Sequence, residues 1–266
     1  MLKFSICIPT HKLTERTIRT IRALGQLDYP RNEFEVCIYL QGNGDPTPIK
    51  DLVDRLEISP ELVGVPLAKN AALNLATAPW TILLDHDDFL VPSSLHQLAS
   101  VIEKTPITVG FEFSAINVGL LGKTTYPPNS FEYQKYYLSL IHENLGRLQK
   151  TPGFGRPILF KTGLGLEFDP EVKFLEERKL YIDAWAKGIP IQMLPTLSYV
   201  YNWNTEATSY GVPIDQDARL KRLKAEFQAL YGGSVSPPLI QWESDVRAFK
   251  PLTKQDVDFI EAVTHF

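Results

Sequence analysis

The strongest constraint on the fold is an alternation of two hydrophobic periodicities along the first hundred residues. Three short apolar runs have the length and composition of buried strands, at 4–9, 34–40 and 80–84. Apolar residues recur at helical spacing in the segments between and after them, at 14–27, 66–78 and 92–103. Strands that alternate with helices favour a mostly parallel sheet with helices on both faces. The sequence therefore predicts an α/β fold.

The second half of the chain is less regular. Its pattern predicts one or two strands over 107–118, a strand at 158–160, and helices over 131–148, 174–187 and 215–230. Gly188 is placed to end the helix over 174–187. Thr253 and Asp256 have the spacing of a capping box that opens a last helix. A weak helical pattern also covers 49–56 in the first half.

Composition and charge narrow the class of protein. The 266 residues are 44% hydrophobic and 22% charged, which is ordinary globular usage. The 27 basic and 31 acidic side chains give a net charge of −4, which argues against a nucleic-acid partner. The two cysteines, Cys7 and Cys37, are expected to be buried apolar side chains, and no apolar run reaches the ~20 residues that span a bilayer. We therefore expect a cytoplasmic protein whose membrane contact, if any, is peripheral.

Three carboxylates, Asp85, Asp87 and Asp88, directly follow the strand at 80–84. Ligands of parallel sheets bind outside the carboxyl ends of the strands, where the polar segments 10–12 and 41–45 should also lie. Like charges at the edge of a buried sheet repel each other unless a cation or hydrogen bonds compensate them. Oxygen ligands suit Mn²⁺ or Mg²⁺, so the pattern predicts a divalent-metal site. The alternative is that Asp87 or Asp88 only caps the next turn.

Five short strings of sequence carry a resemblance to a known family. They are Ser5-Ile-Cys-Ile-Pro-Thr-His11, Asp28-Tyr-Pro30 with Phe34-Glu-Val36, Gly64, Ala68-Lys-Asn-Ala71, and Leu83-Leu-Asp-His-Asp-Asp88. In this order and spacing, over 3–95 and again over 155–210, the chain resembles a family 2 glycosyltransferase of the GT-A fold. The resemblance implies a Rossmann-like sheet in one domain at 1–212, with a donor half at 1–105 and an acceptor half at 106–212. A short C-terminal helical extension at 213–266 would follow.

The resemblance also implies which residues bind a nucleotide-sugar donor. The nucleotide would contact Pro9, Thr10, His11, Gln41, Gly42, Asp45, Lys69, Asn70, Asp85 and His86. Asp85 and Asp87 would hold the Mn²⁺ or Mg²⁺ that bridges the diphosphate.

One departure concerns the nucleotide base. Many relatives have Asp-Asp-Gly after the second strand, where this chain has Leu40-Gln41-Gly42. A UDP-sugar is still the favoured donor, but the carboxylate that usually contacts the base is missing. Two alternatives stay open: His11 is an ordinary loop residue, and Lys69 and Asn70 are polar positions near the start of a helix.

An inverting transfer needs a base that takes the proton of the acceptor hydroxyl. Relatives commonly show an acidic pair, then Leu three residues on and Gly eight beyond it. Aligning Leu180 and Gly188 puts that pair at Glu176 and Glu177. The resemblance thus implies Glu177 as the base, a longer substitute for the usual Asp, beside Glu176. The alternative is a helix N-terminus that favours two acids, and Asp183 is a weaker candidate base.

The acceptor side is assigned to Gly155, Arg156 and Trp203. Gly155 and Arg156 belong to a loop beside the expected acceptor, where Arg156 could pair with a phosphate. The histidine that relatives can use as a further metal ligand is absent between 198 and 210. Tyr199 and Trp203, in that stretch, are candidates for stacking on a sugar or for core packing. The acceptor is expected to be a glycan or a lipid-linked molecule.

The resemblance and these residues together predict a metal-dependent glycosyltransferase that moves a sugar from a nucleotide-diphosphate sugar to a hydroxyl group with inversion. Two alternatives remain. A nucleotidyltransferase also places carboxylate-bound Mg²⁺ at the end of a parallel sheet, although residues 9–12 lack the usual Gly-rich basic loop. A non-catalytic module that binds sugar nucleotides or glycans would share the same residues and show no turnover.

Overall fold

The structure is a computed structural model. It describes residues 1–42, 44–104, 108–112, 116–117, 156–172, 176–189, 191–194, 196, 198–202, 225 and 252–264. The helices predicted over 131–148 and 215–230 lie outside the described residues, as do the predicted acceptor residues Gly155 and Trp203.

The secondary structure follows the predicted alternation. The strands are β1 (Phe4–Thr10), β2 (Phe34–Gln41), β3 (Arg55–Ser59), β4 (Trp80–Leu83), β5 (Phe89–Leu90), β6 (Val109–Glu112), β7 (Ile116–Asn117), β8 (Arg156–Lys161), β9 (Ile191–Met193) and β10 (Tyr199–Tyr201). The helices are α1 (Glu15–Ala23), α2 (Val65–Asn74), α3 (Ser94–Lys104), α4 (Glu176–Ala186) and α5 (Lys254–Thr264).

Among the described residues, seven strands form one mixed sheet in the order β3-β2-β1-β4-β8-β6-β9. Strands β1 to β4 are parallel to one another, as the alternation predicted. Strand β8 is antiparallel to both of its neighbours, and β9 returns parallel to β6. A small second sheet, in the order β5-β10-β7, lies beside the end of β4. The expected mostly parallel α/β fold is therefore confirmed.

The two faces of the sheet bury different helices. On β1, Phe4, Ile6 and Ile8 pack in the core with residues of α1 and α3. Cys7 and Cys37 point to the other face, where they pack with alanines of α2, and both are buried free thiols, as expected. Because both faces are covered, β1 and β2 are buried along their whole length instead of alternating between buried and exposed residues.

The prediction of a weak helix over 49–56 is wrong, because residues 49–52 form turns and the carboxyl end of the segment is a strand. Arg55–Ser59 forms β3, which pairs in parallel with β2 from Cys37 to Gln41. The segment alternates polar and apolar residues, a strand period that the helical pattern obscured. Pairing with the edge of β2 decides the outcome, because local helix propensity is weaker than the backbone hydrogen bonds of a sheet.

Side chains that the sequence singled out mark the helix ends. Thr14 caps α1 by accepting a hydrogen bond from the Thr17 amide at 3.2 Å. Gly188 has φ of +68° directly after α4, where a residue with a Cβ would be strained. Thr253 and Asp256 form the predicted capping box, because each side chain accepts a hydrogen bond from the backbone amide of the other.

The last helix packs on the same body as the sheet. Besides capping α5, the Asp256 carboxylate accepts hydrogen bonds from the amide and hydroxyl of Ser93, just before α3. Phe259 and Ile260 pack with Phe89 and Val200. The boundary proposed at residue 212 stays a prediction. None of the helices in the described ranges has the length and apolar character needed to cross a membrane.

One buried carboxylate, that of Glu35, stabilises the edge of the sheet at which the strands begin. Glu35 accepts hydrogen bonds from the Ser5 hydroxyl at 2.6 Å, the Thr77 amide at 2.8 Å and Arg55 Nε at 2.9 Å. Burial alone would raise the pKa of Glu35, but these hydrogen bonds lower it to about 2. They therefore stabilise the native state above the ordinary pKa of 4.5, and this contribution disappears as the pH falls towards 2.

We predict that Glu35→Gln lowers the free energy of unfolding at pH 7 by about 1–3 kcal/mol, because buried donors lose a charged acceptor. The difference in the free energy of unfolding between wild type and variant should become smaller as the pH falls below 4.5. Urea unfolding followed by circular dichroism between pH 7 and pH 3 measures both effects. Glu57→Gln, at an exposed position on neighbouring β3, is the control and should cost less than about 0.5 kcal/mol. A gap that is independent of pH would contradict the prediction.

Candidate functional site

Three turns meet at the carboxyl ends of β1, β2 and β4. The His11 ring, just after β1, contacts the His86 ring after β4 edge to face, with ring centroids 5.5 Å apart. After β2, Gly42 has φ of +86°, and a Cβ there would lie 3.7 Å from the His11 carbonyl oxygen. The convergence expected from parallel strands is therefore present, and it creates a polar crevice at this edge of the sheet.

The histidine pair favours a neutral imidazole. Burial lowers the pKa of His11, and the neighbouring charges of His86 and Lys12 lower it further, against an opposing effect of Asp87. A neutral His11 ring can donate one hydrogen bond and accept another, which suits a position beside a polar ligand.

The three carboxylates after β4 have different environments. Asp88 is buried, and it accepts hydrogen bonds from the Tyr199 hydroxyl at 2.6 Å and the Asn202 amide at 2.8 Å. The Tyr199 hydroxyl also accepts a hydrogen bond from the Asp85 amide at 3.3 Å. Asp88 therefore fixes the turn at 84–88 against β10. Because the resemblance assigns this turn to the nucleotide-sugar donor, we call it the donor turn. Asp85 and Asp87 stay half-buried at the surface of the crevice.

A buried lysine joins the donor turn to the first turn of α4. Lys69 Nζ lies 2.7 Å from Glu177 Oε1, 2.9 Å from Glu176 Oε1 and 3.9 Å from Asp85 Oδ1. Its side chain is 4% exposed, compared with 10% for Glu176 and 25% for Glu177. We call these four residues the Lys69 cluster. The acidic pair at 176–177 and the carboxylates after β4, predicted separately, thus belong to one site.

The charges in the Lys69 cluster shift its pKa values in opposite directions. Burial alone would lower the pKa of Lys69, but Glu177, Asp85 and Glu176 outweigh it and raise that pKa well above its ordinary value. Burial raises the pKa of Glu176, and Glu177 adds to this, while Lys69 opposes it. Three carboxylates share one ammonium, so the cluster carries a formal excess of two negative charges when all three are ionised.

Several predicted donor residues form local hydrogen bonds. Asn70 exchanges two hydrogen bonds with the Phe168 backbone, its side-chain amide donating at 2.8 Å and its oxygen accepting at 2.7 Å. Gln41 is buried, and its side-chain oxygen accepts from the Val63 amide at 2.7 Å. Asp45 is exposed and accepts from the amide and hydroxyl of Thr47. Their roles towards a nucleotide stay predictions.

The remaining predicted residues are distributed as follows. Pro9 and Thr10 are buried at the end of β1. Arg156 is the first residue of β8, where it lies opposite Glu112 of β6 in the strand register. It therefore belongs to a strand and not to the loop that the sequence suggested. Tyr199 is a core residue and the anchor of the donor turn, a role that its place in an apolar segment did not reveal.

The oxygen ligands at the donor turn fit a hard divalent cation. Asp85 and Asp87 are two residues apart on one turn, and both are partly exposed, as carboxylate ligands of such an ion would be. The described ranges contain no group of three or more His, Cys, Asp or Glu side chains arranged to hold a metal ion.

Comparisons with known sequences identify the family signature. A sequence model of Glycosyl transferase family 2 matches residues 5–155. The poly(ribitol-phosphate) beta-N-acetylglucosaminyltransferase TarS of Staphylococcus aureus strain Mu50 is 22% identical over 228 residues, which cover 81% of this chain and 39% of that protein. TarS of strain MW2 matches to the same extent. The chain thus spans about two fifths of the length of these curated relatives.

Solved structures share the fold. The crystal structure of S. aureus TarS 1-349 in complex with UDP-GlcNAc aligns with a TM-score of 0.59 at 19% identity, covering 85% of this chain and 66% of that one. The mannosyltransferase PcManGT from Pyrobaculum calidifontis, in complex with GDP-Man and Mn²⁺, aligns with a TM-score of 0.57 at 17% identity, covering 99% and 70%. These likenesses confirm the GT-A type of fold.

We predict that Tyr199→Phe lowers the free energy of unfolding by about 1.5–3 kcal/mol, because it removes a hydrogen bond to the buried Asp88 carboxylate. Urea unfolding at pH 7 measures the change. Tyr39→Phe is the matched control, since Tyr39 is also buried and its hydroxyl forms no hydrogen bond within the described ranges; it should cost less than about 1 kcal/mol. Equal losses in the two variants would contradict the assigned role of Tyr199.

Proposed function

The chain belongs to Glycosyl transferase family 2, and on that premise we propose that it moves a sugar from a nucleotide-diphosphate sugar to a hydroxyl acceptor with inversion. The single observation that carries the proposal is the Lys69 cluster, because it joins the donor turn to the acidic pair of α4. Carboxylates for the donor and a carboxylate for the acceptor then line one crevice, as a transfer between two bound substrates requires.

The donor would lie along the three turns at the sheet edge. The nucleotide would contact the residues after β1 and β2, including Thr10, His11 and Gly42, with the diphosphate next to the donor turn. UDP-sugars are the favoured donors, since TarS is named as an N-acetylglucosaminyltransferase and its structure holds UDP-GlcNAc. GDP-sugars are the second choice, because PcManGT is in complex with GDP-Man.

Asp85 and Asp87 would hold a divalent cation, Mn²⁺ or Mg²⁺, with water and diphosphate oxygens as its other ligands. When bound, such an ion supplies positive charge that offsets the charge developing on the diphosphate as the glycosidic bond breaks. Two features of the chain support this assignment. Asp88 holds the donor turn in place, and Asp85 and Asp87 lie half-buried on that turn.

Glu177 is the candidate base, and Glu176 its buried neighbour. Glu177 is the more exposed of the two, so its carboxylate is better placed to reach an acceptor hydroxyl. Lys69 Nζ lies 2.7 Å from Glu177 Oε1 and holds this carboxylate in place. In-line attack then places the acceptor oxygen between Glu177 and the anomeric carbon, opposite the diphosphate. The acceptor would be a glycan or a lipid-linked molecule, with Gly155, Arg156 and Trp203 as candidate contacts.

We predict that donor binding depends on Mn²⁺ through Asp87. In a thermal-shift panel of UDP-GlcNAc, UDP-glucose and GDP-mannose, with Mn²⁺ or with EDTA, a bound donor should stabilise the native state by about 2.7 kcal/mol at a hundredfold excess over Kd. Asp87→Ala should remove the part of the shift that needs Mn²⁺. Asp87 is a cleaner position than Asp85, which also contacts Lys69.

Asp51→Ala is the control for that panel. Asp51 is an exposed carboxylate on the turn that precedes β3, so its removal should leave the shift unchanged. An Asp87→Ala variant with the full Mn²⁺-dependent shift would refute the metal assignment, and no shift with any nucleotide sugar would contradict the proposed donor class.

We predict that Glu177→Gln separates binding from transfer. The amide keeps the size of the side chain, so UDP affinity should stay within about threefold, whereas loss of a general base should lower kcat by about 10²–10⁴-fold. UDP release from UDP-GlcNAc, with water or added glycan as acceptor, measures kcat, and calorimetry measures the affinity for UDP.

Asp183→Asn tests the weaker candidate base alongside Glu177→Gln. Asp183 lies on the same helix, where it pairs with Lys179, and its change should leave kcat within about threefold. Turnover of Glu177→Gln at the wild-type rate would eliminate Glu177 as base. Tight donor binding by the wild type without any turnover would instead support a non-catalytic binding module.

A further inference from the structure

The contacts of Lys69 differ from the nucleotide contact that the family resemblance implies. The family resemblance assigns it to the nucleotide, yet its ammonium lies within 3 Å of Glu176 and Glu177 and 5.2 Å from the centre of the Phe168 ring. An ammonium has three N–H donors, and two of them are used by the acidic pair of α4. With its side chain almost fully buried, Lys69 has little surface left for a ligand.

The backbone around Lys69 is fixed independently of these ion pairs. Its neighbour Asn70 forms two hydrogen bonds with the Phe168 backbone, which ties α2 to the segment after β8. Ala68 and Ala72 pack against the sheet on the buried face of α2. Lys69 therefore extends from a rigid position, so the place of its ammonium determines where the two glutamates can lie.

Burying the Lys69 ammonium costs free energy, and this cost needs an explanation. A buried ion pair is weak evidence for stability, because desolvation offsets most of the attraction between the charges. In some proteins, a buried ion pair instead specifies one arrangement of the groups that it joins. Here the groups are the candidate base on α4 and the candidate metal ligand Asp85 on the donor turn.

We propose that Lys69 is a positioning residue for the transfer reaction: it holds the Glu177 carboxylate at a fixed place relative to the donor turn, and it does not bind the nucleotide. The inference rests on the proposed function and deepens it. Without the ammonium, Glu177 would lose its 2.7 Å ion pair and stand beside the carboxylates of Glu176 and Asp85, so its position relative to the acceptor hydroxyl would no longer be fixed by Lys69. Misplacement of a reacting group by about 1 Å can cost a hundredfold in rate.

The experiment compares Lys69→Met and Lys69→Arg with wild type. The probes are UDP-GlcNAc with Mn²⁺ for kcat and KM, and UDP with Mn²⁺ for Kd by calorimetry. We expect Lys69→Met to lower kcat by at least about tenfold, with KM and the Kd of UDP within about threefold. Lys69→Arg keeps the charge and should recover most of kcat. Lys179→Met, which removes another lysine–carboxylate pair around α4, is the control and should change neither constant.

A double variant tests whether Lys69 acts through Glu177. If it does, adding Lys69→Met to Glu177→Gln should cost less than about threefold in residual kcat, because the two changes disrupt one unit. Circular dichroism confirms folding. If Lys69→Met does not fold, Lys69→Gln, which keeps a hydrogen-bond donor in the buried site, replaces it in every comparison.

The outcomes distinguish this inference from the proposed function. If Lys69→Met raises the Kd of UDP by about tenfold or more and preserves kcat, Lys69 is a nucleotide contact and the inference is overturned. Independent, multiplicative effects of the two changes in the double variant would also overturn it. Lys69→Met with wild-type kcat would overturn it as well. A wild type that releases no nucleotide from UDP-GlcNAc or GDP-mannose would contradict the proposed function, and the inference with it.

Discussion

The buried ammonium of Lys69 connects the two parts of this site, which are the donor turn and the acidic pair of α4. Lys69 comes from α2, and its glutamate partners come from α4, more than a hundred residues later in the chain. The third carboxylate, on Asp85, belongs to the donor turn. Without this shared cation, three carboxylates would face one another at the edge of a buried sheet, where repulsion and desolvation act together.

The rest of the fold sets the geometry of that connection. Parallel pairing of β1 with β2 and β4 brings their following turns to one edge, and apolar packing on both faces fixes the strands. Asp88 and Tyr199 hold the donor turn, while Asn70 and the Phe168 backbone hold α2. The donor turn and the helix that carries Lys69 are therefore each anchored by other residues, as a preorganised site needs.

The sequence predicted the features that depend on local pattern. The central strands follow from short apolar runs that end in polar turn residues, and this pattern was enough to place His86 beside His11. The capping box at Thr253 and the end of α4 at Gly188 follow from local backbone chemistry. At 49–56 the same reasoning failed, because pairing with β2 outweighs a weak helical pattern.

Long-range polar contacts could not be predicted in this way. The hydrogen bond between Asp88 and Tyr199 joins residues 111 positions apart, and nothing in either neighbourhood specifies the other. Two carboxylate partners of Lys69 are separated from it by 107 and 108 positions, so no local pattern could indicate them. A buried cation is determined by all the charges around it, and these become known only when the fold is complete.

The most direct test of one shared crevice is a crystal structure of the chain with UDP-GlcNAc and Mn²⁺. We predict the diphosphate and the metal at Asp85 and Asp87, the nucleotide along the turns after β1 and β2, and Glu177 on the opposite side of the anomeric carbon. Lys69 should still contact Glu177 in that complex. A donor bound away from the donor turn, or a Glu177 carboxylate on the same side as the diphosphate, would contradict the single active site.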